Sequence, residues 1–565
     1  MEQTGKETVE NDRDTIVTNR KEDTASSHTV TIDAKDKDDK VEVTLKDVNI
    51  DASSRSEAAV SVTGKGDTTI ELDGDNELKS GAGHAGLEHN KTDTSGELTI
   101  QDKDNNGSLE AAGGFKGAGI GSAGSNDAQV KITGGNITAT SDDWGAGIGS
   151  GSYGTGTVEI TGGEINATGG YLGAGIGGGC NGSGNVTISG GTITAAGGDG
   201  AAGIGGGYYN GATVTITGDA VIKNASTTVY GAGIGGGNGS DGNVTISGNA
   251  KIENATGGYG AAGIGGGAFS SPDKIGNGNV VIKENAKIDN VQGGAYGAGI
   301  GGGIFGLSNV TIEGNTKVNA TGGAGGAAIG GGAGAENNSD NNGNQITIKS
   351  NENGSPTINA VGGGTDEGEE IVIGGAGIGA GCESDADADI TLEGKVTITA
   401  TAGKDNVAIG ANGIEQEFSG LAEGSSITRY DSEGNDTTLP TDPGYPVPAD
   451  TSSSGGGSAD TSVQESVFPG LVVTDKDGQR ISYTSIRGNN VLSLRVGRFT
   501  ASLRASLATL RQLRAEGIDT ITFQTILCST SLSVDELLAM GGEDTEVVLT
   551  HHIRSSALTV GGKAV

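Results

Sequence analysis

Short runs of alternating apolar and polar residues recur from Val30 to Ile409, and between them stands one phrase, Gly-Ala-Gly-Ile-Gly followed by small residues. With its isoleucine as marker, the phrase falls at Ile120, Ile148, Ile176, Ile204, Ile234, Ile264 and Ile300, then in variant form at Ile329, Ile378 and Ile409. The first four markers are 28 residues apart, and the later gaps are 30, 30, 36, 29, 49 and 31. A period of this size marks stacked supersecondary units.

Within one unit the order is constant. Val186-Thr187-Ile188-Ser189 predicts a short strand ended by Gly190-Gly191, Thr192–Ala195 a second strand, and Ala202-Gly203-Ile204-Gly205 a third extended piece after a glycine loop. Alternation places Val and Ile on one face and Thr187, Thr215 and Thr245 on the other. Three such strands cannot bury their apolar face alone, but stacked in register they form interior ladders. The pattern therefore predicts an all-β fold, a right-handed parallel β-helix solenoid with a small C-terminal α+β domain. A helical alternative fails because each glycine costs about 1 kcal/mol against alanine. No phrase ends in the lysine and Ser/Thr of a phosphate-binding loop, so the glycines read as corners and close backbone approaches.

Composition divides the chain. Residues 1–27 are charged and aperiodic and predict a flexible lead-in; 28–97 hold strand patterns with more Asp, Glu and Lys, suited to N-terminal capping coils. Residues 98–438 form the glycine-marked β-helix, with one coil between Ile329 and Ile378 carrying an insertion around Asp366–Glu370. A Pro/Gly/Ser-rich linker spans 439–466. The α+β module, 467–565, has strands at Leu471–Thr474, Val491–Leu494, Thr520–Ile526 and Val547–Thr550. Helical spacing at Leu503, Leu507, Leu510 and Leu513 ends at Gly517, and Val534–Met540 predicts a second, short helix.

The 110 glycines among 565 residues lack the three-residue period of collagen, and the Ile/Val ladder argues for order despite a net charge of −36. So acidic a chain will not track nucleic acid or an anionic membrane, and no apolar run of about twenty residues predicts membrane insertion. Cys180, Cys382 and Cys528 are too far apart in sequence for a disulfide framework or a metal motif; the first two read as small loop fillers.

Candidate chemistry is sparse. No arginine occurs between Arg55 and Arg429 and no histidine between His89 and His551, while carboxylates such as Glu159, Glu253 and Asp289 are scattered. Lyase or hydrolase chemistry needs a strong base or facing carboxylates, so no enzyme activity is expected. Aromatics are only 3% of the chain, which makes their placement informative. Phe115, Tyr171 and Tyr259 stand five residues before a marker, and Trp144, Tyr230 and Tyr296 four before. A second set, Tyr153, Tyr208, Tyr209, Phe269 and Phe305, follows a marker by four or five. In register each set predicts a broken column on a loop edge, repeating about every 4.8 Å. Such a column serves either as a platform for sugar rings, with Trp144, Tyr171, Tyr230, Tyr259 and Tyr296 as the carbohydrate-binding residues, or as a cover for the corners. Asp102, Asp104 and Asn106 begin a calcium-type loop whose twelfth position is Gly113 instead of glutamate, so calcium is a candidate cofactor outside the EF-hand pattern. Asp385, Asp387 and Asp389 form a second acidic candidate.

Three features carry a family resemblance: Val43-Thr44-Leu45 with Val48-Asn49-Ile50, the run Thr69-Ile70-Glu71-Leu72-Asp73-Gly74-Asp75-Asn76, and the repeated Gly-Ala-Gly-Ile-Gly-Gly-Gly. From Val30 to Ile409 the chain resembles carbohydrate-binding-domain-containing β-helix proteins of Gram-positive anaerobic bacteria. The resemblance implies an extracellular or cell-surface protein that binds polysaccharide or cell-wall glycan without hydrolysing it, with the C-terminal module meeting other surface proteins. The sequence departs from the family in showing no secretion signal, whose removal is the expected reason, and Leu439-Pro440-Thr441-Asp442 departs from a sortase motif. A structural adhesin stalk or spacer is the alternative expectation, and a polysaccharide lyase the third.

Overall fold

In Gly184–Ile188 burial alternates residue by residue, with Val186 and Ile188 enclosed and Asn185 and Thr187 exposed. The same alternation repeats in Ala212–Ile216, Gly242–Ile246 and Gly278–Ile282. In the computed structural model these strands pair in parallel, in register, coil on coil. The model describes residues 15–19, 24–445 other than 269–270, 272–273, 338–342 and 366–372, and 470–564 other than 476–477, 479, 482, 489, 497–499, 526–528, 543–544 and 553–554. The expected excursion at Asp366–Glu370, Phe269, Cys528 and most of the expected linker lie outside them.

Three ladders build the interior. In the first sheet Val130, Val158, Val186, Val214, Val244, Val280 and Val310 stack, with an isoleucine ladder two residues on. In the second, Ile137, Ile165, Ile193, Ile222, Ile252 and Ile288 stack beside a column of alanines. The third is the marker column, where Ile120, Ile148, Ile176, Ile204, Ile234, Ile264 and Ile300 lie one above the next, each fully buried. The fold is thus an all-β parallel solenoid whose ladders share one continuous core from Ile32 to Ile427. Spacing variation is absorbed locally: of the two residues added between Ile204 and Ile234, one enters between Ile216 and Val221, and the other is Lys223, a bulge in the second sheet after which Thr194 pairs with Asn224. Across the 49-residue gap Ile329 still pairs directly with Ile378, so the marker column runs on unbroken.

The glycine after each marker has a specific cause. From Gly121 to Gly410 its φ lies between +132° and +150° in every coil, and a Cβ on Gly149 would collide with the carbonyl of Gly177 in the next coil. Coil spacing and backbone conformation both demand a residue without a side chain there.

The ends differ from expectation. Thr15–Thr18, placed in a flexible lead-in by its charged surroundings, is a strand that pairs with Val43–Lys46 and rests Val17 against the core. It takes the hydrogen bonds the first coil leaves open. At the other end Ser426–Tyr430 extends the second sheet, and Arg429 occupies the column position held by Ala400 one coil before. Its guanidinium is fully buried. Nε donates to Asp442 at 2.7 Å, Nη2 to Asp442 at 2.9 Å and to the Gln416 carbonyl at 2.7 Å, and Nη1 pairs with Glu415. The segment beginning Leu439-Pro440 therefore supplies the partner of a polar plug over the last coil.

The chain divides into two compact units, one extending to Tyr445 and the other formed chiefly from Pro446 onward. The second has a five-stranded antiparallel sheet including Ala501–Ser506 and Glu546–His552, and a four-stranded sheet in which Val491–Arg495 and Thr520–Gln524 pair in parallel. Helices span Leu507–Ala515 and Val534–Leu538, each capped by the serine before it, Ser506 and Ser533. Leu503, expected on the first helix, lies on the strand Ala501–Ser506. Its apolar spacing fits both periods, and the Ser506 cap ends the strand and starts the helix.

Candidate functional site

The marker phrase folds back on itself. Ala146 N–H donates to the Ser150 carbonyl at 3.0 Å, Ala174 to Gly178 at 2.9 Å and Ala202 to Gly206 at 2.9 Å. The two limbs therefore lie back to back, with the isoleucine at the inner tip. Four residues after a marker, the N–H reaches the carbonyl four residues before the previous marker. Cys180 donates to Trp144 at 2.7 Å, Tyr208 to Leu172 at 3.2 Å, Ala268 to Tyr230 at 2.8 Å and Ala333 to Tyr296 at 2.8 Å. The two aromatic sets, separate in sequence, thus form the two lips of one ledge. Cys180 and Cys382 share that register and are buried within it, and burial raises both thiol pKa values, Cys382 to about 12.

The structure groups the five candidate aromatics unevenly. Trp144, half-buried, packs on Phe115 with centroids 5.2 Å apart, and the Lys116 ammonium lies 5.0 Å from the Trp144 ring. Tyr171, 58% exposed, stands between two clusters. Tyr230, Tyr259 and Tyr296 interlock edge to face at 6.2 and 5.5 Å. The two expected broken columns merge into one: the rings alternate between the two adjacent positions from coil to coil, and Tyr230, Tyr259 and Tyr296 meet edge to face, as ring quadrupoles favour. On the other lip Tyr208 donates to the Tyr209 hydroxyl at 2.7 Å, and the Lys274 ammonium lies 4.3 Å from the Tyr209 ring. Burial, then the Tyr209 hydroxyl, pushes the Tyr208 phenol up to about 12. Sequence reasoning missed both lysines, although Lys116 stands in the same register as Trp144.

Left-handed backbone recurs at two registers of the ledge, four before and five after a marker, and Lys116, Ser125, Asn181, Glu383 and Asp405 adopt it there as several aromatics do. Tyr153, Tyr209, Tyr230, Tyr296 and Phe305 have φ between +62° and +71°. Bulky side chains rarely adopt that region. Glycines hold the same registers in other coils, as at Gly200, Gly239, Gly260 and Gly334. At two of these glycines a ring fills the space: Tyr208, from the opposite lip, over Gly200, and Phe305, from the same lip one coil before, over Gly334.

The calcium candidate has a definite geometry. Asp102, 8% exposed, accepts the Asn106 N–H at 3.2 Å and the Gly107 N–H at 3.0 Å, closing a turn. Asn106 turns its amide nitrogen to Asp104 Oδ2 at 3.0 Å. Glu71, from the preceding coil, joins Asp102 and Asp104, with ligand oxygens within 4.8 Å of one another. Lys103 donates its N–H to Glu71 at 2.8 Å and brings its ammonium to 3.5 Å from Glu71 and 2.6 Å from Glu42. Three carboxylates offer a hard cation suitable oxygens but fewer than the roughly six to eight that calcium takes, and Lys103 already balances part of the charge. Glu71 escaped sequence reasoning because it lies a coil away; register alone, Glu71 opposite Gln101, brings it near. Among the described residues Asp385, Asp387 and Asp389 do not converge, and no helix there is long and apolar enough to cross a membrane.

A family described as beta helix repeat matches residues 130–152, 158–180, 186–208 and 244–268. Each matched stretch runs from a first-sheet valine through the marker phrase to the ledge. The chain is accordingly a parallel β-helix protein in which these four coils are similar to that repeat. No curated protein and no solved structure matches the chain.

Proposed function

We propose that the protein is a secreted, non-catalytic surface protein that binds polysaccharide, with sugar rings resting on the aromatic ledge. One observation carries the proposal: aromatic rings from successive coils gather along one ledge, with Tyr171, Tyr230 and Tyr259 exposed. Exposed rings at Tyr171, Tyr230 and Tyr259 present apolar faces to which the C–H faces of sugars stack. Calcium, where it assists, would be held by Glu71, Asp102 and Asp104, and a chelator-sensitive melting temperature tests it.

Replacing Tyr230 and Tyr296 together by glycine relieves two strained positions and removes two rings. At about 1 kcal/mol per ring, affinity for a retarding polysaccharide in gel electrophoresis falls about thirtyfold, with an unchanged or higher melting temperature. A lower melting temperature with binding intact overturns the proposal. That outcome favours the adhesin stalk, which the edge-to-face packing of Tyr230, Tyr259 and Tyr296 supports.

A further inference from the structure

A second surface of the solenoid has a composition unlike the rest of the chain. The first sheet points two columns of side chains outward, and across six coils, from Asn185 and Thr187 to Gln345 and Thr347, neither column holds a charge. The chain as a whole carries a net charge of −36. Charge returns at both ends of the columns, in the Lys131–Glu159 pair at 2.9 Å and at Asp389, and along one side of them in the Glu313–Lys349 pair at 3.4 Å. Mid-face lies a groove of about 240 Å³ lined by Thr213, Asn243, Thr245, Asn279, Val281 and Thr311, among others. Asn279 Nδ2 donates to Asn243 Oδ1 at 3.0 Å, which fixes the orientation of both amides along the stack.

From this we infer that the first-sheet face binds an uncharged polysaccharide laid along the solenoid axis, a substrate class that rests on the carbohydrate proposal above only in taking the ligand to be a glycan. Hydroxyl and carboxamide groups each offer donors and acceptors, which is what sugar hydroxyls require of a partner. A charged side chain under a neutral ligand would lose hydration without an opposite charge to compensate, so a neutral lining suits a neutral ligand. Acidic polymers meet instead the field of an acidic chain. Val281 replaces a threonine within its column and supplies an apolar spot beneath a sugar C–H face. The groups repeat at the coil spacing of about 4.8 Å, so a linear polymer gains many weak contacts where a monosaccharide gains one set.

The test is affinity electrophoresis of the full chain in gels holding hydroxyethyl cellulose, galactomannan or dextran as neutral probes, and polygalacturonate or alginate as acidic ones. Retardation by at least one neutral polymer and by neither acidic one is expected. Thr245→Glu with Asn279→Asp should weaken that retardation about tenfold or more at an unchanged melting temperature. Thr245→Ser with Asn279→Gln should keep most of it. Binding to no neutral polymer, or equal binding to the acidic ones, overturns the inference. If the face variant binds like wild type while Tyr230→Gly with Tyr296→Gly loses binding, the face is excluded and the ledge proposal stands. The reverse pattern keeps the face and removes the ledge. A wild-type dimer in sedimentation that the face variant converts to monomer, without glycan binding, assigns the surface to a second copy and overturns the inference as well.

Discussion

The first and second sheets share one core and one alternation, yet they face solvent with opposite chemistry. Between Asn185 and Thr347 two outward columns of the first sheet show amides, hydroxyls and one valine. The second stacks Lys251, Lys287 and Lys317 in one column, with Lys251 paired to Glu253 at 2.7 Å and Asp289 at 3.2 Å, and Lys287 to Asp289. Inward positions have no such freedom, because each must match the residue above and below it. The contrast shows that in a solenoid stability is written on the inside, and only the outside is free to record a partner.

The comparison can be broken most severely from within. Ile204→Asp places an unpaired carboxylate in the marker column and also leaves a cavity. Destabilisation of about 5 kcal/mol or more is expected in chemical denaturation, with both faces lost together. A wild-type melt would show the register to be wrong. Next comes Arg429→Ala, which leaves Asp442 and Glu415 without their shared cation under the last coil and should cost about 3 kcal/mol. Protection in hydrogen exchange should fall first near Ser426–Tyr430 and spare Gly184–Ile188, since neighbouring coils support one another.

Exchanging the faces is a gentler disturbance. Thr187→Lys with Thr215→Glu gives the first sheet the chemistry of the second; folding should persist, and retardation by a neutral polysaccharide should fall severalfold. The reverse exchange, Lys251→Thr with Glu253→Thr, removes exposed ion pairs that salt already screens. It should leave both the melt and the glycan binding at wild-type values, the smallest effect of the series. A large loss of binding there would place the ligand on the second sheet.

Much of this was legible before the structure. A fixed marker and strict alternation define the coil, its strands and the in-register columns, because stacking repeats one environment over and over. The aromatic positions were legible for the same reason. What stayed hidden depended on contacts between coils or at the ends. Phase along the chain does not reveal that residues before and after a marker are neighbours, so two lips looked like two columns. Glu71 became part of the Asp102 cluster only through register. Arg429 carried no signal of its role, since a charged residue breaks the apolar pattern that a plug must also break. Thr15–Thr18 was too short, among charged neighbours, for its alternation to stand out.

The plug at Arg429 has one more consequence. Open stacks of parallel strands invite other strands to join, and a buried guanidinium with its two carboxylates offers such a newcomer nothing to pair with. Growth by accretion is thereby halted at that end, while growth by insertion is not. A duplicated coil placed anywhere in the middle would meet neighbours of its own kind and leave the terminal chemistry untouched. The solenoid is in this sense a ruler with a fixed stop, and its length is set by counting repeats.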